Sequence, residues 1–358
     1  MIHHRIGIVG AGVMAEEHLT SLKRLGLGRV MGLCDLSESI GRFMARRHGV
    51  EHVFTDLGTM LRQIRPSVVH VLTPPATHEP LVERCLRSGA HVLVEKPVAL
   101  SAEGFDRLWQ IASDRSLLLM EDHNYRLNRI CQQLLAAIES NDAGPLHEIE
   151  VRMTLGSLFT DGGRYGDRNL AHPSYRLPCG VVHEFLTHLI YLSHALLDAD
   201  RSSDRAPLQL QHAVWEDRGL GPCGLDALLS SGRTTVRLRL DPEGCPDGFE
   251  LLVRGCRAVL RADLFQPCLE RSAERSPAML SGLINQWRRG RVLKKSALKN
   301  FRAKVGGWTP YEGLTEMVRG FYRAAEGRSE SPVSRGQMHR TLEVIEALAA
   351  SRTEASTS

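Results

Sequence analysis

The run Gly10-Ala11-Gly12-Val13-Met14-Ala15 fits the pattern GxGxxA, and a carboxylate, Asp35, follows twenty residues after Ala15. Glycine at the first position permits a tight turn, and glycine at the second lets backbone close on a pyrophosphate. The small Ala15 lets a helix lie against the preceding strand. The N–H groups that open such a helix have no partners within it and suit phosphate oxygens. Asp35 suits the hydroxyls of an adenosine ribose and repels a 2′-phosphate; Leu36 and Ser37 follow it instead of arginine. The expected cofactor is therefore NAD in preference to NADP, with Gly10, Gly12, Val13, Met14 and Asp35 in its site. Farther along, His183-Glu184 and His188 invite a zinc-protease reading. That site needs histidines four apart; these are five apart, about 140° round a helix, so no metal is expected. Glu184, His188 and Tyr191 stand at i, i+4 and i+7 and share a helix face. An imidazole there suits general-base work on a hydroxyl proton.

The elements that must hold these residues are legible as two patterns. Up to residue 122, apolar runs at Arg5–Val9, Arg29–Cys34, His52–Phe54, Val68–Leu72, His91–Glu95 and Leu117–Glu121 alternate with helical spacings such as Ala15–Leu25 and His78–Ser88. Strand–helix alternation predicts right-handed crossovers and a parallel sheet covered on both faces, an α/β Rossmann domain over 1–122. After Asp122 the pattern reads as a helix at Arg129–Glu139, a strand at Glu148–Leu155, a Gly- and Arg-rich loop at Thr160–Gly180, and an apolar helix at Val181–Leu197. Closely spaced strand-like runs follow at Gln209–Trp215, Leu225–Ser230, Thr234–Leu240, Glu250–Val253 and Ala258–Ala262. They predict an α+β domain over 123–358 with an open, mostly antiparallel sheet. Tyr311–Glu326 and Gln337–Ala350 read as helices, and the last eight residues as a frayed end.

Lys96 falls where Val92-Leu93-Val94 ends and Pro97 begins. That is the carboxyl end of a parallel strand, beside the crevice where such folds bind ligands. A partly desolvated lysine there can donate to a reacting oxygen or take a proton from it. The competing reading is a surface lysine paired with Glu95.

Thr73-Pro74-Pro75-Ala76-Thr77-His78, Glu95-Lys96-Pro97 and His123-Asn124-Tyr125-Arg126 follow the fourth, fifth and sixth strands, and Gly255–Asp263 lies in the later sheet. With the glycine motif they resemble the Gfo/Idh/MocA oxidoreductases, from Arg5 to about Leu348 and most closely before residue 155. The resemblance implies a Rossmann domain followed by a sheet domain used for dimer or tetramer contacts. It implies hydride transfer at a carbinol or ketone carbon of a sugar, cyclitol or nucleotide-sugar. It adds Thr73, Pro74, His78, Glu95, Lys96 and Asn124 to the cofactor site. It makes Lys96, His188 and Glu184 catalytic, and Lys96, Tyr125, Arg176, Glu184, His188 and Tyr191 substrate-binding. Tyr175-Arg176 resembles a Trp-Arg pair common ahead of the catalytic helix. With Arg164, Tyr165 and Arg168 in the same loop, it suits an anionic group on the substrate. Three departures from the family pattern point to altered substrate fit. Glu184 replaces the usual Asp, Tyr191 stands where a second Asp is common, and Cys179 replaces a glycine.

Charge and composition bound the rest. A net charge of +4 and a charged share of 24% fit a soluble globular protein and do not call for nucleic acid. The eight scattered cysteines lack any CxxC pair and read as reduced thiols of a cytoplasmic protein. No stretch approaches the roughly 18 apolar residues of a membrane span, and the N-terminus lacks a signal-peptide pattern. One segment stands apart. From 280 to 307 there are eight cations, Arg288, Arg289, Arg291, Lys294, Lys295, Lys299, Arg302 and Lys304, and no acid. Leu283, Ile284, Trp287, Leu298, Phe301 and Val305 lie near helical spacing. The expectation is a helix with its apolar side on the core and its charges in water; contact with an anionic membrane surface is the alternative. Two other functions compete with net dehydrogenation: transient oxidation by a retained NAD on the way to epimerisation or elimination, and NAD-binding regulation without catalysis.

Overall fold

The computed structural model describes residues 4–167, 172–202, 206–273, 278–305 and 311–355. The strands are β1 His4–Val9, β2 Gly28–Cys34, β3 His52–Phe54, β4 Val68–Val71, β5 His91–Val94, β6 Leu119–Glu121, β7 Leu146–Thr154, β8 Gln209–Asp217, β9 Pro222–Ser231, β10 Thr234–Asp241, β11 Gly248–Gly255, β12 Ala258–Asp263 and β13 Cys268–Ala273. The helices are α1 Val13–Leu25, α2 Glu38–His48, α3 Leu57–Ile64, α4 His78–Arg87, α5 Ala102–Asp114, α6 Arg129–Glu139, α7 Gly156–Phe159, α8 His183–Ala199, α9 Ala278–Val305, α10 Glu312–Ala325 and α11 Arg335–Ala355.

The chain divides into two compact units. One is Met1–Asn124 with Gly313–Glu343; the other is Tyr125–Glu312 with Val344–Ser358. In the first, six parallel strands lie in the order β3-β2-β1-β4-β5-β6, the doubly wound arrangement that the strand–helix alternation predicts. The central strands are apolar on both faces: Val68, Val69, Val71, Val92, Leu93 and Val94 are all fully buried. Such runs need helices on either side, because a parallel sheet leaves no face to water. The unit is discontinuous in sequence, which a reading in chain order does not anticipate. Phe321 and Tyr322 of α10 are fully buried, and the Tyr322 hydroxyl is 3.0 Å from Nε2 of His70 in β4.

In the second unit seven strands run β13-β12-β11-β7-β10-β9-β8, antiparallel throughout except for β7 beside β10. Burial alternates along β10, where Val236, Leu238 and Leu240 point inward while Arg237 is exposed and paired with Asp226. One face is thus packed under α8, and the other carries charges, as period-two patterning requires. Two expectations change. The edge strand β13, whose charged Glu270 and Arg271 hide its pattern, was not legible. Of the expected frayed end, the residues as far as Ala355 are helix, with Ser351 Oγ bonded to Leu348 O at 2.8 Å, and residues 356–358 lie outside the described residues. Among the described residues no helix is long and apolar enough to cross a membrane.

Candidate active site

The Rossmann unit is built around its first turn. Gly10 has φ +95°, and a Cβ there would stand 2.7 Å from the carbonyl oxygen of Leu72; only glycine meets both conditions. Its N–H donates to Cys34 O at 2.8 Å, closing the loop onto the end of β2. At Gly12 a Cβ would find no atom within 4 Å, so this side of the turn is open. Asp35 links the two loops: Oδ2 accepts the Ala11 N–H and Oδ1 the Ser37 N–H, both at 2.8 Å. The N-termini of α2, α3 and α5 are capped by the side chains of Ser37, Asp56 and Ser101. The N-terminus of α1 begins at Gly12 and has no side-chain cap. Its first amides are left to an external acceptor, and a phosphate is the acceptor such an end favours. Val13 is 73% and Leu36 95% exposed, apolar surface of the kind a nucleotide base covers. Met14 is half-buried. By uncapped amides, an open glycine and the Asp35 carboxylate beside the turn, these residues fit a dinucleotide.

The loops after β4 and β5 are cross-braced. His78 is fully buried, with Nδ1 2.6 Å from Pro97 O and Nε2 2.6 Å from Thr73 O. A neutral imidazole donates to one carbonyl only, and burial lowers the pKa of this one. Val98 N–H donates to Glu121 Oε2 at 2.6 Å, while Glu121 Oε1 faces His123 Nε2 at 2.7 Å. Thr73 is half-buried and Pro74 exposed at the loop tip. The segment carrying Lys96 is therefore held from two sides, and Lys96 itself is half-buried.

Under Lys96 lies a cluster that sequence reasoning missed. His18 of α1, Glu95 and Asp122 are all buried, and their ligand-type atoms lie within 4.8 Å of one another. His18 Nε2 is 3.6 Å from Glu95 Oε1 and 3.9 Å from Asp122 Oδ2. His18 Nδ1 meets His70 Nδ1 at 2.9 Å, and His70 passes the contact on to Tyr322. Burial, then the neighbouring Glu95, pushes the Asp122 pKa well up. Burial opposes ionisation of Glu95 too, but the nearby His18 and the Lys96 charge outweigh it, and its pKa falls. Of the two carboxyls Glu95 is thus the one favoured to ionise. The signal for His18 was a polar residue one turn before Leu22 on the inward face of α1, but nothing in the sequence pairs it with β5 or β6.

His70 supplies a pH dependence. Burial, with His18 adding to it, holds its pKa well below the ordinary 6.5. The unfolded chain binds a proton near 6.5 that the folded chain refuses, so ν_U exceeds ν_N as pH falls. This part of the stability is complete above 6.5 and is lost on acidification, by about 1.4 kcal/mol per pH unit for one proton. Urea unfolding of wild type and His70→Gln on both sides of pH 6.5 checks it. The acid slope is expected to be shallower in the variant, and equal slopes would remove His70 from the account.

In the second unit, α8 presents Glu184, His188 and Tyr191. All three are buried, at 8%, 7% and 3% exposure. Tyr191 Oη lies 3.0 Å from His188 Nδ1 and accepts the Tyr125 N–H at 3.2 Å. The Tyr125 ring stands edge-on to the imidazole, centroids 4.9 Å apart. Glu184 has its oxygens on two loop hydroxyls: Oε2 on Tyr165 at 2.7 Å, and Oε1 on Ser174. Burial and then the Glu184 charge raise the Tyr165 pKa, so its hydroxyl remains a donor. The extra methylene that distinguishes Glu from Asp is what lets the carboxylate reach these loop groups. Tyr191 is the group on Nδ1. Arg164 lies 3.7 Å from Glu184 Oε2 and over the Tyr165 ring; Arg176 is exposed, as Tyr175 anchors its hydroxyl on Tyr165 O. Arg168 lies outside the described residues. The structure thus assembles Lys96, Glu95, His78, Thr73, Pro74 and the buried Asn124 in one unit, and Tyr125, Glu184, His188, Tyr191 and Arg176 in the other.

Comparison with known proteins bears on the fold. Residues 4–123 match the family model described as "Oxidoreductase family, NAD-binding Rossmann fold". Myo-inositol 2-dehydrogenase of Thermotoga maritima is 27% identical over 147 residues, 41% of this chain and 44% of that protein; the chain thus spans less than half the length of this relative. GenD2 from gentamicin A biosynthesis, solved with NAD, superposes with a TM-score of 0.76 at 19% identity, covering 99% of this chain and 96% of that one. KijD10, a 3-ketoreductase from Actinomadura kijaniata solved with NADP and TDP-benzene, gives 0.74 at 20% identity, covering 97% of each chain. At these identities the two structures attest the fold, and they carry different forms of the nicotinamide cofactor. Residues 4–123 thus match the NAD-binding Rossmann fold of the Gfo/Idh/MocA oxidoreductases, and in that part the chain is similar to this family.

Proposed function

We propose that the protein is a cytoplasmic NAD-dependent oxidoreductase that moves a hydride between nicotinamide and a carbinol or ketone carbon of a sugar, cyclitol or nucleotide-sugar. The observation that carries this reading is the braced Lys96, set at the carboxyl end of β5 beside the buried Glu95 and Asp122. Gly10, Gly12 and the α1 amides take the pyrophosphate, and Asp35 takes the ribose hydroxyls. The bound nicotinamide supplies the hydride acceptor or donor. Lys96 holds the reacting oxygen by its ammonium.

His188 moves the proton, and its hydroxyl neighbour fixes the tautomer. With Tyr191 accepting from Nδ1–H, Nε2 takes the proton of an alcohol, and the imidazolium so formed returns it to a ketone oxygen in the reverse direction. Arg164 and Arg176 favour a phosphate or carboxylate on the substrate. The relatives' names support the substrate class, inositol for one and a 3-ketoreductase reaction for another. Self-association as a dimer or tetramer through the charged face of the sheet completes the proposal.

The test is thermal stability with each cofactor. Binding to the native state raises stability by about 2.7 kcal/mol at one hundred times Kd. A clear rise with NAD and little with NADP is expected, because the Asp35 carboxylate opposes a 2′-phosphate. A larger rise with NADP would overturn the NAD preference. No rise with either, once co-purified cofactor has been excluded, would overturn the redox reading. NADH accumulation with myo-inositol or a nucleotide-sugar then separates net dehydrogenation from transient oxidation.

A further inference from the structure

The long helix α9 is inside out relative to its expected packing. It lies along the edge strand β13, and the residues that tie it there are small or polar. Asn285 Nδ2 donates to Ala273 O at 2.9 Å, Asn300 Nδ2 to Pro267 O at 3.1 Å, and Arg289 pairs with Glu270 at 2.9 Å. Ser281 is buried on the same side. The large apolar residues point away. Leu283 is 64%, Trp287 62%, Leu298 55%, Phe301 68% and Val305 75% exposed, and Leu280 joins them. At 100° per residue these six fall within an arc of about 60°, a stripe along a helix that rises about 1.5 Å per residue. Lys294 lies in the stripe with a stem long enough to bring its charge to the edge. Arg288, Arg291, Lys295, Lys299 and Arg302 all fall on one flank, and Arg291 stacks on the Trp287 ring at 4.3 Å. The helix has no acidic residue along its whole length.

We propose that α9 is a docking surface for an anionic lipid bilayer, lying in the plane of the interface with its apolar stripe among the acyl chains and its cationic flank at the headgroups. A surface helix of a globular protein turns its apolar face to the core; this one turns it to solvent, and an exposed row of this length marks an interaction site. The charges select the occupant. A second copy would bring an equally cationic, acid-free helix against this one, with no carboxylate along either to pair. A bilayer with anionic headgroups meets both halves of the surface at once: it takes Trp287, Phe301 and the leucines, and it neutralises the flank. This surface is separate from the redox reading and stands or falls without it.

The test is flotation of the full-length protein with vesicles of phosphatidylcholine alone, or of phosphatidylcholine mixed with phosphatidylglycerol. Binding is expected only to the mixed vesicles at low salt, and it should weaken as salt shortens the Debye length. A Trp287→Ser, Phe301→Ser variant, altered only at exposed positions, should keep its melting temperature and NAD response and lose flotation. Replacing Arg288, Lys295 and Arg302 together by glutamine should weaken binding on the order of a hundredfold. Failure to float with mixed vesicles at low salt would overturn the proposal, as would undiminished flotation of the serine variant. Absence of flotation together with an oligomer that the serine variant dissociates would also overturn it, and would assign the stripe to a second copy.

Discussion

Lys96→Met is expected to lower kcat/KM by about 10²–10⁴-fold, the range a positioned proton-transfer group contributes, while leaving the thermal response to NAD in place. Methionine keeps the length and apolar stem of the side chain, so the braces from His78 to Pro97 and from Glu121 to Val98 remain. What it removes is the ammonium, which also stabilises the ionised form of Glu95. Without that charge, one of the groups that lower the Glu95 pKa is gone and its proton affinity rises. The pH profile of any residual activity should therefore shift as well as fall. NADH absorbance with whichever polyol or nucleotide-sugar supports turnover gives the measurement, and Lys96→Arg should restore part of the rate by keeping the charge. Activity of Lys96→Met within tenfold of wild type, roughly 1.4 kcal/mol in the barrier, would reduce Lys96 to a surface lysine paired with Glu95.

His188→Gln is the second large effect, again about 10²–10⁴-fold in kcat/KM. Glutamine preserves a buried polar group facing Tyr191 but cannot exchange a proton near neutrality. Tyr191→Phe separates positioning from chemistry. It removes the hydroxyl on His188 Nδ1 and the acceptor for the Tyr125 N–H, so the imidazole keeps its place under the Tyr125 ring but loses its fixed tautomer. The expected pattern is a fall in kcat with KM nearly unchanged and a displaced pH profile. Equal rates in wild type and His188→Gln would leave Lys96 as the sole proton-transfer group. A Tyr191→Phe variant changed only in KM would make Tyr191 a substrate contact.

Neither variant was hard to choose from the sequence, and the reason is local. Gly10-Ala11-Gly12, Asp35, Lys96 and the His188 helix announce themselves because each motif is fixed by backbone geometry within a few residues: a turn, a strand end, a helix face. Strands with apolar residues on both faces, such as β4 and β5, and the period-two burial of β10 are legible for the same reason.

Contacts between residues distant in sequence are another matter. Nothing in the chain order joins His18 to Glu95 and Asp122, or His70 to Tyr322 across 252 residues. Nor does it show that Glu184 reaches back to Tyr165 and Ser174 while Tyr191 takes the imidazole. The apolar spacing of α9 was visible, but the side on which it lies was not. Helical periodicity defines a stripe and leaves its direction open; Asn285, Asn300 and Arg289 settle that direction by bonding to β13. The fold class, the cofactor turn and the residue types able to move a proton are legible in the chain order, because these depend on near neighbours along it. Which carboxyl is favoured to ionise and which face of α9 meets water emerge only on folding, because both depend on burial, and burial is set by whatever the fold brings alongside.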